Sequence, residues 1–350
     1  MYQNRIHQLL KTKINEAFLI TSPENLYYFS GFTGGEGALF IDQNTKKLFT
    51  DSRYTVQAEE ESPDFEIVDV ATTSLSAFLQ TVGTASIGFE DEYMTVSTML
   101  SLKKTVPTLA LMPASRHIES IRIVKDSVEL DHITKAAKIA DDAFLHILPK
   151  ISPGKTEKDI ALDLEFYMRK NGADGASFEI VSASGYRSAM PHGVATEKVI
   201  QSGELLTLDF GCKYKGYCSD MTRTVVVGKA NDKQKEIYET VLSSQLAALT
   251  EIRAGKACKE IDAVARKIIT DAGYGDCFGH GLGHSVGLKI HEKPSLSPRS
   301  EDVLLANITM TVEPGIYIKD FGGVRIEDLV IVTEDGYQNL THAPKELLEL

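Results

Sequence analysis

The chain repeats itself at a fixed offset, and that limits the folds open to it. Ile151-Ser152-Pro153-Gly154-Lys155 begins a segment that runs through Lys158, Asp159 and Ile160 to Gly172. Ile252-Arg253-Ala254-Gly255-Lys256 begins a second one, through Lys259, Glu260 and Ile261 to Gly273, 101 residues later throughout. Each copy reads as a turn, an amphipathic helix and a glycine stop. Each also follows another long helical stretch, 127–150 in the first and 232–252 in the second, and strand-like runs follow both. The pattern predicts two similar α+β halves with their helices on one side of a curved sheet. A site would then form where the halves meet.

Ahead of this repeat the periodicity changes. Segments 17–20, 37–41, 47–50, 66–70 and 86–89 are short β-rich runs, and helical stretches such as 5–13 and 56–61 separate them. They predict a mixed-sheet α/β domain over residues 1–120, followed by a second domain over 121–350; a chain of 350 residues suits two domains better than one. Segment 27–37 carries Gly31, Gly34, Gly35 and Gly37 and is expected to be a loop. It matches no phosphate-binding glycine pattern. Ser127 reads as an N-cap, with a helix running to Leu148 and an apolar face of Leu130, Ile133, Ala137, Ala140, Phe144 and Ile147.

The net charge of -12, with no basic cluster, argues against nucleic acid as a partner. The polar, amphipathic N-terminal stretch lacks the apolar core of a signal peptide, and no run reaches the length of a membrane span. A cytoplasmic protein is expected. Cys212, Cys218, Cys258 and Cys277 form no C-x-x-C pair, so free thiols are expected in place of a zinc knuckle or redox motif.

Five candidate ligands stand on strand-like or loop segments of the second domain. Leu205-Leu206-Thr207-Leu208-Asp209-Phe210-Gly211 is an apolar strand interrupted by a carboxylate, which is costly to bury unless paired or bound to metal. Asp220 follows 11 residues later, a spacing that lets a hairpin bring the two together. Gly279-His280-Gly281-Leu282-Gly283-His284 and the nearby His291 place three histidines in a glycine-rich stretch. Glu313 follows a β run and precedes Pro314-Gly315; Glu327 lies two residues after Arg325, on the same face of a strand. Each alone could be a salt-bridged or solvated residue, and Arg325 could simply neutralise a carboxylate. Together, four carboxylates and one imidazole form a hard donor set that balances two divalent cations. Mn²⁺ suits it best, and Zn²⁺, Co²⁺ and Fe²⁺ are compatible. Such a pair would activate water and polarise a carbonyl, with the remaining histidines donating to the developing oxyanion.

These motifs resemble the pita-bread metallopeptidases, which include methionine aminopeptidase, aminopeptidase P and prolidase. The resemblance covers nearly all of 127–350. It implies an α+β pita-bread catalytic domain with an internal pseudo-twofold repeat. By the same resemblance Asp209, Asp220, His284, Glu313 and Glu327 fall on the family's metal positions. Ser184-Gly185-Tyr186-Arg187-Ser188-Ala189-Met190-Pro191-His192-Gly193 is similar to the segment carrying a catalytic histidine. His192 and His291 then match substrate-binding and oxyanion-stabilising histidines, His280 and Arg325 match further residues of the substrate site, and Glu313 also assists proton transfer. The region up to Leu111 resembles the creatinase-type α/β N-terminal domain of the proline-directed branch. The resemblance implies hydrolysis of the Xaa-Pro bond at the N-terminus of peptides with proline in second place, either in longer peptides (aminopeptidase P) or in dipeptides alone (prolidase), by a homodimer. The length and the Pro344-Lys345-Glu346-Leu347 ending are similar to those of short bacterial aminopeptidase P-like proteins, a resemblance that implies the former. A module that binds a peptide or partner without turnover is the reading from another class. Arg53 and Tyr54 are expected either to reach a neighbouring subunit's site or to form a surface ion pair.

Overall fold

The computed structural model describes residues 2–11, 15–82 and 86–350. They divide into two compact units, Met1–Arg122 and Ile123–Leu350.

The first unit is built around central strands, Ala17–Ile20, Ala38–Asp42 and Ile87–Phe89, that are buried on both faces. Its elements are α1 (Tyr2–Lys11), β1 (Ala17–Ile20), α2 (Pro23–Ser30), β2 (Ala38–Asp42), β3 (Lys46–Thr50), α3 (Thr55–Glu61), β4 (Glu66–Asp69), α4 (Leu75–Thr81), β5 (Ile87–Phe89), α5 (Val96–Thr105), β6 (Leu111–Pro113) and α6 (Ser115–Ile123). The strands form one mixed sheet in the order β4-β3-β2-β1-β5-β6. All four residues of β1 are buried, as expected for a central strand covered by helices on both faces. Residues 12 and 13, expected to end the first helix, lie outside the described residues.

Part of the expected loop 27–37 is helical. Pro23 in the first turn presets the helical φ, and α2 runs through Tyr27 to Ser30. Gly31 stops it in the left-handed conformation at φ 87°, with its N–H on Tyr27 O at 2.8 Å. Only the stretch beyond is a loop. Arg53 sits in a surface ion-pair cluster, with Nη2 2.7 Å from Glu36 and 2.6 Å from Asp51.

The second unit begins with α7 (Ser127–Ile147). Its N-cap is Asp126, one residue before the expected Ser127. The reason is a capping box: Asp126 Oδ1 accepts from Val128 N and Glu129 N at 3.0 Å, and Glu129 Oε2 accepts Asp126 N at 2.9 Å. Ser127 has Leu130, not an acid, three residues on. Next come α8 (Glu157–Lys170), β7 (Gly175–Ala176), β8 (Val181–Ser184), β9 (Glu204–Phe210), β10 (Cys212–Tyr214), β11 (Tyr217–Cys218) and β12 (Met221–Val227). The second half supplies α9 (Asp232–Leu249), α10 (Cys258–Asp271), β13 (Gly283–Ser285), β14 (Glu292–Leu296), β15 (Thr309–Val312), β16 (Gly315–Ile318), β17 (Gly322–Arg325), β18 (Asp328–Val332) and β19 (Tyr337–Asn339).

The repeat in sequence is a repeat in structure. Helices α8 and α10 have 14 residues each and start 101 positions apart (258 minus 157). Their entry turns make matching bridges, Thr156 to Val199 and Ala257 to Val303. Each half has its own core. Ile139, Phe144, Leu164 and Met168 pack with Leu206, Leu208 and Phe210 in the first. Ile237, Val241, Ile261 and Ile269 pack with Met310, Val312, Val330 and Val332 in the second. The strands divide among small sheets, among them β12-β9-β8 and β11-β10-β7 in the first half and β15-β18-β19 in the second. Between them, Thr224 Oγ1 stitches β12 to β17, donating to Arg325 O at 3.0 Å and accepting Arg325 N at 3.2 Å. Among the described residues no helix is long and apolar enough to cross a membrane. Cys212, Cys218 and Cys258 are buried, Cys277 is partly buried, and all four are free thiols.

Candidate active site

Strand pairing brings the two aspartates together. β9 and β12 run antiparallel with Asp209 opposite Thr222, and Asp220 lies one step before β12 begins. Gly211 makes the turn possible: a Cβ there would sit 1.9 Å from Ser219 O. His284 lies in the middle of β13, which approaches β15 so closely that a Cβ on Gly283 would be 2.0 Å from Thr311 O. Glu313 follows the end of β15, and its N–H is held by Leu282 O at 2.8 Å. Glu327 falls in the break between β17 and β18, and its N–H reaches across to Thr222 O at 3.1 Å.

The five residues converge. Asp209, Asp220 and Glu327 each offer a carboxylate oxygen within 4.8 Å of the others. His284 Nε2 stands 3.4 Å from Glu313 Oε1 and 3.6 Å from Asp220 Oδ2. Its Nδ1 is 3.1 Å from Ser285 O, a carbonyl that can only accept, so Nδ1 carries the proton and Nε2 presents its lone pair to the carboxylates. Two hydroxyls orient the acids. Thr222 Oγ1 donates to Glu327 Oε2 at 2.6 Å, and Thr311 Oγ1 donates to Glu313 Oε1 at 2.9 Å while accepting His284 N at 2.9 Å.

This cluster fits divalent metal. Asp209 Oδ1 and Glu327 Oε1 are buried without a hydrogen-bond partner, an arrangement that is costly unless a cation faces them. Burial, then the charges of Glu327, Asp209 and Glu313, pushes the Asp220 carboxyl well above its usual range. Glu327 is pushed up by burial and by Glu313 and Asp209. Burial lifts Glu313 to about 7. Burial lowers His284, which keeps it neutral and ready to ligate.

Arg325 is also buried, and it pairs with Asp209, not Glu327: Nη2 lies 2.5 Å from Asp209 Oδ2. Its other nitrogens are engaged as well, Nε to Thr222 Oγ1 at 3.1 Å and Nη1 to Tyr317 Oη at 2.6 Å. His280 Nδ1 donates to Gly281 O at 2.8 Å, so its Nε2 accepts from Tyr317 Oη at 2.9 Å. Burial and the Arg325 charge bring His280 down to about 4. His192 and His291 are exposed at the wall of the same cavity, about 510 Å³ in volume, whose apolar lining includes Phe178, Val181, Pro191, Val194, Ile290 and Leu296. The His284 and His291 rings meet edge to face with centroids 4.5 Å apart.

A model of metallopeptidase family M24 matches residues 131–334, and a model of the creatinase/prolidase N-terminal domain matches residues 3–124. The chain belongs to metallopeptidase family M24. It is 40% identical over 359 residues to the Xaa-Pro dipeptidase of Pyrococcus furiosus, covering 99% of this chain and 100% of that one. Among solved structures it is similar to the Xaa-Pro dipeptidase from Bacillus anthracis, with 44% identity, TM-score 0.96 and all of both chains covered. It is also similar to the X-Pro aminopeptidase from Thermotoga maritima, with 40% identity, TM-score 0.93, and 100% and 99% of the two chains covered. These relatives put this M24 chain in the proline-directed branch, with a pita-bread domain preceded by a creatinase-type domain. M24 membership implies divalent metal.

The nine residues that the sequence offered for the metal and substrate site of this M24 protein line the same cavity: His192, Asp209, Asp220, His280, His284, His291, Glu313, Arg325 and Glu327. Sequence reasoning missed Thr222, Thr311 and Tyr317, which hold the ligands and Arg325. The only signal for the threonines was a hydroxyl amid β-branched residues, and strands are full of those.

Proposed function

We propose that this chain is a two-metal Xaa-Pro exopeptidase in which Asp209, Asp220, His284, Glu313 and Glu327 hold the ions, Mn²⁺ first. The observation that carries the reading is a cluster of partnerless carboxylate oxygens opening on a cavity walled by His192, His280 and His291. When bound, the metals supply water activation and carbonyl polarisation. The protein supplies the rest. His192 and His291 donate to the oxygen of the carbonyl before proline as charge develops on it. Glu313 assists proton transfer to the departing proline nitrogen. Pro191, Val194, Ile290 and Leu296 offer an apolar surface to the proline ring and exclude water from it. Arg325 fixes Asp209, and His280 shapes the wall. The reading includes a homodimer in the cytoplasm; the four free thiols support the setting.

Two relatives are named dipeptidases and one an aminopeptidase. The cavity wall favours longer peptides. Arg325 is the only Lys or Arg among the residues that line it, and all three of its nitrogens are already bonded. A dipeptide would bring a free carboxylate beside the proline, where the one guanidinium on the wall is already paired with Asp209, and Glu179 on the wall would repel it. The experiment is to strip the metal, reconstitute with Mn²⁺, and compare a Xaa-Pro dipeptide with a Xaa-Pro-Yaa tripeptide. Cleavage of the tripeptide establishes the aminopeptidase; cleavage of the dipeptide alone makes the chain a prolidase. No cleavage of either by the metal-loaded protein removes the proline-directed reading.

A further inference from the structure

Glu157 is a carboxylate with no place in the chemistry above, yet it is completely buried. It stands in the first turn of α8, where the helix dipole favours negative charge. Every group bonded to it belongs to the segment that carries His192. Its Oε1 accepts Ser184 N at 2.7 Å and Ser184 Oγ at 2.9 Å. Its Oε2 accepts Thr196 Oγ1 at 2.7 Å and Thr196 N at 3.1 Å. Arg187 Nε lies 3.0 Å from Oε2, and Arg187 Nη2 goes on to Val194 O at 2.6 Å. The carboxylate thus grips both ends of a loop, at 184 and 196, and through Arg187 ties its two strands together. His192 stands near the tip, exposed, on the wall of the cavity that His280 and His291 also line.

The second half uses the same device with different residues. Asp262 of α10 is buried, and its Oδ1 accepts Leu282 N at 3.0 Å. Arg266 pairs with it and donates to Phe278 O at 3.0 Å and His280 O at 2.8 Å. Each repeated helix therefore offers one buried acid, paired with one arginine, to the histidine-bearing loop of its own half. The position matching Glu157 in the second half is Cys258, so the acid is not a requirement of the helix as such.

We propose that Glu157, with Arg187, is a positioning residue that sets His192 against the substrate. The inference rests on the peptidase reading for its kinetic readout and stands apart from it in its spectroscopic one. A side chain mounted on an exposed loop is free to wander, and a displacement of an ångström at a reacting centre costs about 100-fold in rate. A buried acid with donors from both ends of the loop removes that freedom.

The test compares wild type, Glu157→Gln, His192→Ala and the double variant, assayed Mn²⁺-loaded on a Xaa-Pro tripeptide, with ¹H–¹³C spectra of the histidine rings recorded on the Zn²⁺-loaded proteins. Glu157→Gln is expected to lose about 10- to 100-fold in kcat/KM, at unchanged bound metal, with a shifted or broadened His192 ring signal. The double variant is expected to be no worse than His192→Ala alone. Losses that multiply in the double variant, or a His192 signal unchanged by Glu157→Gln, overturn the proposal. If Glu157→Gln does not fold, Thr196→Val, which strips one hydroxyl from the same carboxylate, replaces it under the same two criteria. If wild type cleaves no Xaa-Pro peptide, the peptidase reading fails while the ring signal still judges the clamp.

Discussion

Thr222 and Glu327 are joined across the two halves of the second unit: Thr222 Oγ1 donates to Glu327 Oε2 at 2.6 Å. The bond fixes the glutamate so that its other oxygen, Oε1, is buried with no hydrogen-bond partner. Replacing the hydroxyl by a methyl frees that carboxylate to rotate and also strips Arg325 Nε of its acceptor. Thr222→Val is expected to weaken metal binding about 10-fold or more with the fold intact. A competition titration against a chelator measures this, and an unchanged affinity would count against metal binding through Glu327.

Metal removal should change how stability responds to pH. Burial favours the neutral form of Glu313 and lifts it to about 7 in the folded chain. The native metal-free protein therefore holds a proton that the unfolded chain, with a glutamate pKa of about 4.3, has already released. Its stability is expected to be greatest below that value and to fall as pH rises through about 7. Bound cations offset the buried charge that deprotonation leaves, so the gain in Tm on adding metal should grow from about pH 5 to about pH 8. Thermal melts with and without chelator test this; a metal-free Tm that climbs over the same range contradicts it.

Arg223 and Asp328 form a buried ion pair at 2.8 Å directly behind Glu327. Arg223 also donates to Glu327 O. Asp328 keeps Lys345 and Gln245 when the arginine is gone, so the carboxylate is not wholly abandoned. Arg223→Met is expected to lower stability by about 3 kcal/mol, the lower end for breaking a buried pair. Urea unfolding reads the change directly.

Gly211→Ala should damage the site more than the fold. The new Cβ would meet Ser219 O at 1.9 Å, so the β10–β11 hairpin must shift, and Asp220 with it. Loss of metal binding with near-wild-type circular dichroism is the expected result. Retained affinity would show that the hairpin can move without carrying Asp220 along.

Much of this was legible in the sequence for a physical reason. Asp209 interrupts an apolar run, where a charge has to be accounted for, and the 101-residue echo announced the paired helices. The same logic fails where a residue's role depends on something distant. Thr222 meets its glutamate 105 residues away, and nothing in a strand marks one threonine from another. Glu157, one position after a capping threonine, reads as an ordinary solvated acid of a helix's first turn; only the folded loop shows it buried. Local errors had local causes. The end of α2 was hidden by the glycines just beyond it, and Asp126 outcompeted Ser127 because its partner, Glu129, is three residues on.

Two of the candidate ligands, Asp209 and Asp220, come from the strands after α8; His284, Glu313 and Glu327 come from the strands after α10. A cation held by both sets would act as a clasp. Neither half could open fully without letting it go, so the time for which the folded chain survives a protease would be set by how slowly the ion leaves, and not only by how well each core is packed. In such an arrangement the centre that performs the chemistry would also keep the molecule's two halves shut.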